Sequence, residues 1–285
     1  MFLSIIVLVN SLKNIMRQPV LIILLSILSF VVFGQTNYIQ TAEDLITAFK
    51  EGEPYEQYVE TLRQSTFDEL REELDTDAKK YAFWINIYNG YIQVELRNKP
   101  ELYNKRNKFF ATPAIEIGGK TLSFSDIEHG IIRRGEWLFA LGYIRNPFPS
   151  RFKKQLRPKK QEYRVHFVLN CGALSCPPIA VMDHTVIEEQ FAEATKRYLP
   201  DFTSYDEASN KVLTTPLFSW FRGDFKGKKG TKRILEQHGL IPSKKVKLKY
   251  DGYDWSLMLD NFIDLLDDST EKHKEQNTKE VISSH

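Results

Sequence analysis

The chain has 285 residues, of which 39 are Lys or Arg and 37 are Asp or Glu, with 42% hydrophobic residues and two cysteines. The apolar fraction is too high for a disordered polymer, and 14 Gly and 12 Pro exclude a collagen-like repeat. A net charge of +2 gives no strong overall field, so binding to nucleic acid would need a local basic patch. Two cysteines cannot build a many-bridged scaffold. The composition therefore predicts a globular protein with a full-sized core.

The first 34 residues have the pattern of a secretory signal peptide. Basic residues such as Lys13 precede an apolar run over residues 20–33, and the end of this run fits a cleavage site before Gln35. The run is shorter than the about 20 residues that a transmembrane helix needs. An uncleaved anchor is the alternative to cleavage, and Met16 is an alternative start. We therefore expect an exported protein, periplasmic, on the cell surface or secreted, without a nucleic-acid partner and with membrane contact only through a retained leader.

Helical patterns fill the first part of the remaining chain. Short acidic helices are predicted over residues 41–75, and a longer helix over residues 76–97 has apolar residues at helical spacing. Beside this apolar stripe, Asn86, Asn89 and Gln93 form a second stripe, although Asn is a poor helix former. Buried amides need hydrogen-bond partners. We therefore expect these amides either to build a site or to support the core.

Turn and capping signals mark the middle of the chain. Residues 112–122 contain alternating isoleucines followed by two glycines, which is typical of a hairpin. Ser125 and Glu128 have the S-x-x-E spacing of a capping box, so we expect Glu128 to cap a short helix. Residues 165–169 are a short apolar run that includes His166, and this run predicts a buried strand.

Similar signals continue in the C-terminal half. Thr185 and Glu188 repeat the capping-box spacing and open a helix with an apolar stripe. The remaining patterns are short and predict strands over residues 211–214 and 245–250 and helices from Thr215 and over residues 231–238.

The mixture of these elements predicts a single α+β domain in which several helices pack on a small mixed sheet. No internal repeat or linker interrupts the region, so the domain is expected to cover residues 35–266. Residues 267–285 are polar and charged without an apolar period, and we expect them to form a disordered tail.

Both cysteines lie in one short loop after the predicted strand. Cys171 and Cys176 stand in a turn of small residues, where backbone N–H groups could stabilise a thiolate or an oxyanion. A thiol becomes a useful nucleophile when such a site or a neighbouring His favours the thiolate, and His129 and His166 are candidates. Alternation along the predicted strand puts His166 and Asn170 on one face. The pattern therefore indicates a site at this loop.

The same loop allows other interpretations. In an oxidising compartment Cys171 and Cys176 can form a disulfide, which would stabilise the fold by about 2 kcal/mol. A redox-active pair matches less well, because the spacing is C-x4-C and not C-x-x-C. A zinc site that adds His129 or His184 matches no familiar ligand set. We therefore expect neither a metal nor a cofactor.

Several specific motifs follow one another along the chain. They are Phe83-Trp84-Ile85-Asn86-Ile87-Tyr88-Asn89, Asp126-Ile127-Glu128-His129 with Ile132-Arg133, His166-Phe167-Val168-Leu169-Asn170-Cys171-Gly172-Ala173 with Ser175-Cys176-Pro177, Trp220 with Asp224-Phe225, and Tyr253-Asp254-Trp255-Ser256-Leu257. In this order they resemble the domain-of-unknown-function 547 family over roughly residues 41–257. The family usually ends the last motif with Asn, where this chain has Met258. The resemblance implies membership without a reaction, and a glutaredoxin domain beside it in some plant relatives suggests thiol chemistry by association.

The polar residues of these motifs lead to a first functional hypothesis. We expect a cysteine-dependent hydrolase or acyl transferase with Cys171 as nucleophile and His129 or His166 as base. Asn170 or a loop N–H is the expected oxyanion donor, and Asp254 is the residue expected to orient the histidine. The ligand of such a site is a small molecule, a peptide or an envelope component.

Two alternatives come from other classes of protein. The first is a non-catalytic envelope binding or scaffold module with a structural disulfide, and the second is a thiol–disulfide redox protein. In each case the residues expected to bind the ligand are Asn86, Asn89, Arg133, Asn170 and Ser175.

Overall fold

The computed structural model describes residues 36–135 and 141–266. The predicted signal peptide, residues 1–34, and the predicted tail, residues 267–285, lie outside the described residues. Within the two described ranges, no helix combines the length and the apolar character needed to cross a membrane.

A long buried helix, α4, forms the centre of the N-terminal half. The helices of this half are α1 (Tyr38–Glu51), α2 (Glu56–Gln64), α3 (Phe67–Glu73) and α4 (Asp77–Asn98). The Thr76 side chain caps α4 by accepting a hydrogen bond from Lys79 N at 3.3 Å. Gly90 lets α1 approach closely, because a Cβ there would lie 2.8 Å from Leu45 Cδ2. The predicted core helix over residues 76–97 is confirmed.

The asparagines of α4 hold two loops by their backbone. The Asn86 amide donates to Met182 O at 2.8 Å and accepts from Met182 N at 2.9 Å. The Asn89 amide donates to Val168 O at 2.9 Å and accepts from Asn170 N at 2.8 Å. Both side chains are fully buried, and these backbone partners take up their hydrogen-bonding groups. The stripe therefore supports the core and positions the loops that build the site.

A hairpin and short helices follow α4. They are a 3₁₀ helix (Pro100–Lys105), α5 (Arg106–Ala111), β1 (Ile115–Ile117), β2 (Lys120–Leu122) and, further along the chain, α6 (Arg151–Leu156). The two strands pair antiparallel, with Ile115 opposite Leu122. Gly118 and Gly119 form the turn with φ values of 59° and 68°, which glycine adopts without strain. The predicted hairpin is confirmed.

The predicted capping box at Ser125 and Glu128 is not formed. Ser123 Oγ instead accepts from Asp126 N at 3.0 Å, and Asp126 Oδ2 accepts from Ser123 N at 3.1 Å. This reciprocal pair lies two residues earlier and opens a π-helix, Asp126–Ile132. Glu128 is therefore not a cap.

The predicted strand over residues 165–169 is wrong. The chain forms a 3₁₀ helix, Tyr163–Phe167, and the next two backbone N–H groups donate to Val165 O at 3.2 and 3.1 Å. A buried strand needs the peptide groups of a neighbouring strand, and an asparagine side chain of α4 takes that place here. The strand face that His166 and Asn170 were expected to share therefore does not exist.

The second predicted capping box, at Thr185 and Glu188, is also wrong. Thr185 N and Oγ1 donate to Asp183 Oδ1 at 2.7 and 2.8 Å, and Val186 occupies the N-cap position without a side-chain hydrogen bond. The helix itself, α7 (Ile187–Asp201), is present and buries the predicted apolar stripe.

A small mixed sheet forms the C-terminal part. Its elements are β3 (Thr203–Asp206), β4 (Lys211–Thr214), α8 (Leu217–Trp220), α9 (Gly227–Gln237) and β5 (Lys247–Tyr250). The strand order is β3-β4-β5, with β3 and β4 antiparallel and β4 and β5 parallel. The sequence patterns predicted β4 and β5 but missed β3. The described residues from Tyr38 onward thus form the predicted single α+β domain.

Candidate active site

A cavity of about 450 Å³ brings together many of the residues that the sequence motifs contain. Its polar lining consists of Asn107, Ser125, Glu128, His129, His166 and the two cysteines. Aromatic rings form much of the remaining wall, namely Tyr88, Phe110, Trp220, Phe221, Tyr253 and Trp255. A concave, largely apolar pocket with a few converging polar groups is typical of a small-molecule site.

Three aromatic rings form one wall of the cavity. Trp220 and Trp255 are stacked with their centroids 5.6 Å apart and their planes at 25°. The Tyr253 ring lies 5.0 Å from Trp220 and 4.7 Å from Trp255. Rigid aromatic faces of this kind favour a flat or apolar group on the ligand.

His166 and Asp224 form a buried pair at the cavity. His166 Nε2 lies 2.8 Å from Asp224 Oδ2, and both side chains are 2% exposed. The His166 ring stacks on Phe221 with a centroid distance of 4.0 Å, which fixes its plane. Burial lowers the pKa of His166, so the imidazole is neutral at pH 7. Burial raises the pKa of Asp224, but hydrogen bonds from His166 and Arg133 outweigh it and hold the pKa at about 2.

Arg133 connects this pair to the second histidine. Its Nε and Nη2 donate to the two carboxylate oxygens of Asp224 at 2.7 and 3.1 Å. Its Nη1 lies 2.8 Å from His129 Nδ1, and the guanidinium sits 4.5 Å above the Phe221 ring. The Arg133 side chain is only 2% exposed, and protein groups take its hydrogen bonds. Arg133 is therefore not placed to bind a ligand, contrary to the sequence prediction.

The π-helix explains why one short segment delivers several polar groups to the site. Residues five apart point about 140° away from each other in an α-helix, whereas a π turn brings them to the same side. Arg133 N donates to Glu128 O at 2.8 Å across such a turn. Glu128 and His129 consequently line the cavity, while Arg133 packs directly behind them.

Glu128 is held by a tyrosine of α4. Tyr88 OH donates to Glu128 Oε2 at 3.1 Å. Burial raises the pKa of Tyr88 well above its ordinary value, and the nearby Glu128 adds to this, so the phenol stays protonated. The predicted capping role of Glu128 is thus replaced by a place in the cavity wall.

The two sulfurs lie in the same cavity wall and are joined in a disulfide. The Cα atoms of Cys171 and Cys176 are 6.3 Å apart. Cys171 N donates to Cys176 Sγ at 3.0 Å, and Tyr253 OH lies 3.2 Å from the same sulfur and 3.9 Å from Cys171 Sγ. In the part of the chain that the structure describes, no hydrogen bond joins a sulfur to an imidazole.

Two residues predicted to bind a ligand instead shape the cysteine loop. The Asn170 side chain accepts from Gly172 N at 2.8 Å and donates to Pro177 O at 2.7 Å. It is buried and does not line the cavity, so it is not placed as an oxyanion donor. Ser175 Oγ accepts from Asp254 N at 2.9 Å. The loop is therefore held from both sides by backbone contacts.

Asp254 does not orient a histidine. Its side chain is exposed and accepts a hydrogen bond from Ser256 N at 2.8 Å, as a turn-capping residue does. The orienting carboxylate is Asp224, a motif residue for which the sequence pattern predicted no role. Arg222 and Lys226 stand two positions to either side of Asp224, so the local sequence gave no signal that this carboxylate is buried.

A separate group of potential ligands lies outside the cavity. Glu43, Asp183 and His184 each offer one ligand atom, and these atoms lie within 4.8 Å of one another. Two carboxylates and an imidazole are suitable ligands for a divalent cation. None of the three residues lines the cavity.

Comparison with known proteins gives one match. The family model described as "Protein of unknown function, DUF547" matches residues 72–199. No curated protein and no solved structure matches the chain. The matched segment contains Glu128, His129, Arg133, His166 and the disulfide, whereas Asp224 and Tyr253 follow it. The predicted resemblance to this family is confirmed over the matched segment.

Proposed function

We propose that the cavity is the active site of a cysteine-dependent hydrolase or acyl transferase. The observation that carries this proposal is that a carboxylate-oriented histidine and both cysteine sulfurs line one cavity. An acyl-transfer site needs a nucleophile, a base and a group that orients the base. Cys171, His166 and Asp224 have the required chemical types. The aromatic wall favours an ester or amide with an apolar or aromatic portion.

The proposed reaction begins with reduction of the disulfide, because a bridged sulfur is not a nucleophile. Cys171 is the less buried of the two cysteines. After reduction, His166 accepts the thiol proton of Cys171, and the thiolate attacks the carbonyl carbon of the substrate. The same imidazole returns the proton to the leaving group, which gives an acyl-enzyme. Water then releases the acid, or another nucleophile takes the acyl group.

Activity is expected only in the presence of reductant. The full chain should hydrolyse 4-nitrophenyl esters with aromatic or medium-length acyl groups after treatment with dithiothreitol, and Cys171→Ala should lose the thiol-dependent rate under the same conditions. Removing a catalytic nucleophile costs several orders of magnitude in kcat. Ser204→Ala is the control, because Ser204 is exposed on β3 and lies outside the cavity lining. Equal rates for the wild type and Cys171→Ala would exclude Cys171 as the nucleophile.

A second candidate function is thiol–disulfide exchange, and the surroundings of Cys176 favour it. Its sulfur accepts from Cys171 N and lies beside Tyr253 OH, and such donors stabilise a departing thiolate. An incoming thiolate would attack Cys171 Sγ, form a mixed disulfide and release Cys176 as the thiolate. This function predicts reduction of a model protein disulfide by the dithiol form, with no ester hydrolysis. A bridge that resists reduction and a cavity that retains a small molecule would favour the binding module instead.

We also propose that the protein is exported with cleavage before Gln35. The proposal rests on the basic residues and the apolar run within residues 1–34. Expression of the full chain in a secreting bacterial host should yield a mature form whose intact mass corresponds to residues 35–285, recovered outside the cytoplasm. An intact mass that includes the leader, found in the membrane fraction, would show an uncleaved anchor.

A further inference from the structure

We infer that the two histidines present opposite hydrogen-bonding atoms to the cavity, with His129 donating through Nε2–H and His166 accepting through Nδ1. The geometry around Arg133 and Asp224 assigns both protons. The catalytic meaning of this assignment rests on the proposed hydrolase, whereas the positions of the protons do not.

Arg133 determines the proton position on His129. A guanidinium only donates hydrogen bonds and stays protonated in proteins. Its Nη1 lies 2.8 Å from His129 Nδ1, so that nitrogen must carry the lone pair. Glu128 Oε1 lies 3.4 Å from the same nitrogen and would prefer a proton there, but the contact with the permanent donor is shorter. The single proton of the neutral ring is therefore on Nε2.

Asp224 determines the proton position on His166 in the same way. An ionised carboxylate only accepts hydrogen bonds. Its Oδ2 lies 2.8 Å from His166 Nε2, so that nitrogen carries the proton and donates it. The remaining nitrogen, Nδ1, has its lone pair and has no partner among residues 36–135 and 141–266. His166 lines the cavity, which leaves Nδ1 as an acceptor for a proton of a ligand, a thiol or water.

This arrangement separates the roles that the sequence left open between the two histidines. His166 has the lone pair that a general base needs. His129 cannot act as a base through Nε2 and instead offers an N–H donor in a cavity wall, as required for a carbonyl oxygen that becomes negatively charged. The site thus fits a substrate whose carbonyl oxygen faces His129 and whose attacking or leaving group faces His166. Arg133 is a positioning residue, because it contacts both His129 and Asp224 but does not line the cavity.

Nitrogen NMR tests the proton positions directly. In the full chain labelled with ¹⁵N-histidine, the signals lost in His129→Gln identify His129, and His238→Gln removes signals from outside the cavity as a matched control. At slightly basic pH we expect His129 Nε2 to be protonated and Nδ1 unprotonated. A protonated Nδ1 on His129 overturns the inference. In Arg133→Lys a fraction of the Nδ1–H form should appear, and an unchanged tautomer would overturn the role of Arg133.

Kinetics test the catalytic meaning. His129→Leu should lower kcat/KM for the ester substrates by about 100-fold, mainly through kcat, because a donor to the oxyanion is lost. His129→Gln should recover part of the rate, since its amide N–H reaches the region of Nε2. A loss in His129→Leu no greater than in His238→Leu overturns the donor role. If NMR shows the Nε2–H form of His129 in a wild type that hydrolyses no ester, that result confirms the proton assignment and contradicts the proposed hydrolase.

Discussion

Replacing Asp224 with Asn is expected to lower kcat for ester hydrolysis by about 10⁴-fold, provided that the cavity is the proposed active site. The Asn amide removes the negative charge that stabilises the protonated imidazole of His166. The Asn amide N–H can also donate to His166 Nε2, which favours the tautomer with the proton on Nδ1 and removes the lone pair that the base needs. Steady-state kinetics under reducing conditions measure this effect.

The same substitution is expected to destabilise the fold by about 3–5 kcal/mol, because it leaves the Arg133 charge buried without its partner. Urea unfolding followed by circular dichroism measures the change. The Asp224 pKa of about 2 in the folded protein lies below the about 3.9 of an unfolded Asp. The unfolded state therefore binds the proton first, and wild-type stability should fall as the pH falls from about 4 to about 2. Asp224→Asn should lack this part of the pH dependence.

Asp254→Asn is the matched control, since it makes the same chemical change at an exposed carboxylate. We expect its kinetics and its stability to be near those of the wild type. If Asp254→Asn loses as much activity as Asp224→Asn, the assignment of the orienting residue is wrong.

Replacing His166 with Gln should lower kcat/KM by about 10²- to 10⁴-fold, because a positioned general base is lost. Burial lowers the pKa of His166, so the imidazole stays neutral at pH values somewhat below the ordinary histidine pKa of about 6.5. Wild-type kcat/KM should therefore stay level through pH 7 and decline only at pH values below about 6.5. His166→Gln should lack this acidic decline in its residual rate.

His184→Gln serves as the control for His166→Gln, because His184 lies outside the cavity lining. Burial also lowers the pKa of His129, so both buried rings stay neutral while the unfolded chain begins to bind protons below about pH 6.5. Wild-type stability should consequently fall as the pH drops below about 6.5, and His166→Gln should weaken that dependence. An activity decline centred above pH 7 would contradict His166 as the base.

Local patterns were sufficient for the elements whose stability depends on near neighbours in the chain. The helix α4 follows from its apolar spacing, and the hairpin follows from two adjacent glycines that tolerate positive φ. In both cases the hydrogen bonds that define the element join residues a few positions apart. The α+β class and the family resemblance could also be predicted from the sequence.

Patterns failed where a competing partner decided the outcome. The spacing of Ser125 and Glu128 fits a capping box, but Ser123 and Asp126 form the reciprocal pair, and the π-helix then turns Glu128 into the cavity. Residues 165–169 have the composition of a strand, yet the part of the chain that the structure describes places no strand beside them. An asparagine of α4 makes the hydrogen bond instead. Strand formation depends on a distant partner that a local window does not contain.

The sequence by itself determined which side chains are candidates for catalysis or ligand binding. They are two cysteines in one loop, two motif histidines and several amides. Only the tertiary structure decided their roles. Asp224 and Asp254 are both acidic residues in the sequence motifs, but packing pairs Asp224 with His166, 58 positions away, and leaves Asp254 exposed. Arg133 likewise bridges 91 positions to reach Asp224 and directs the proton on His129. Contacts across such separations form only when the core packs, because the residues that they join do not interact through the nearby chain.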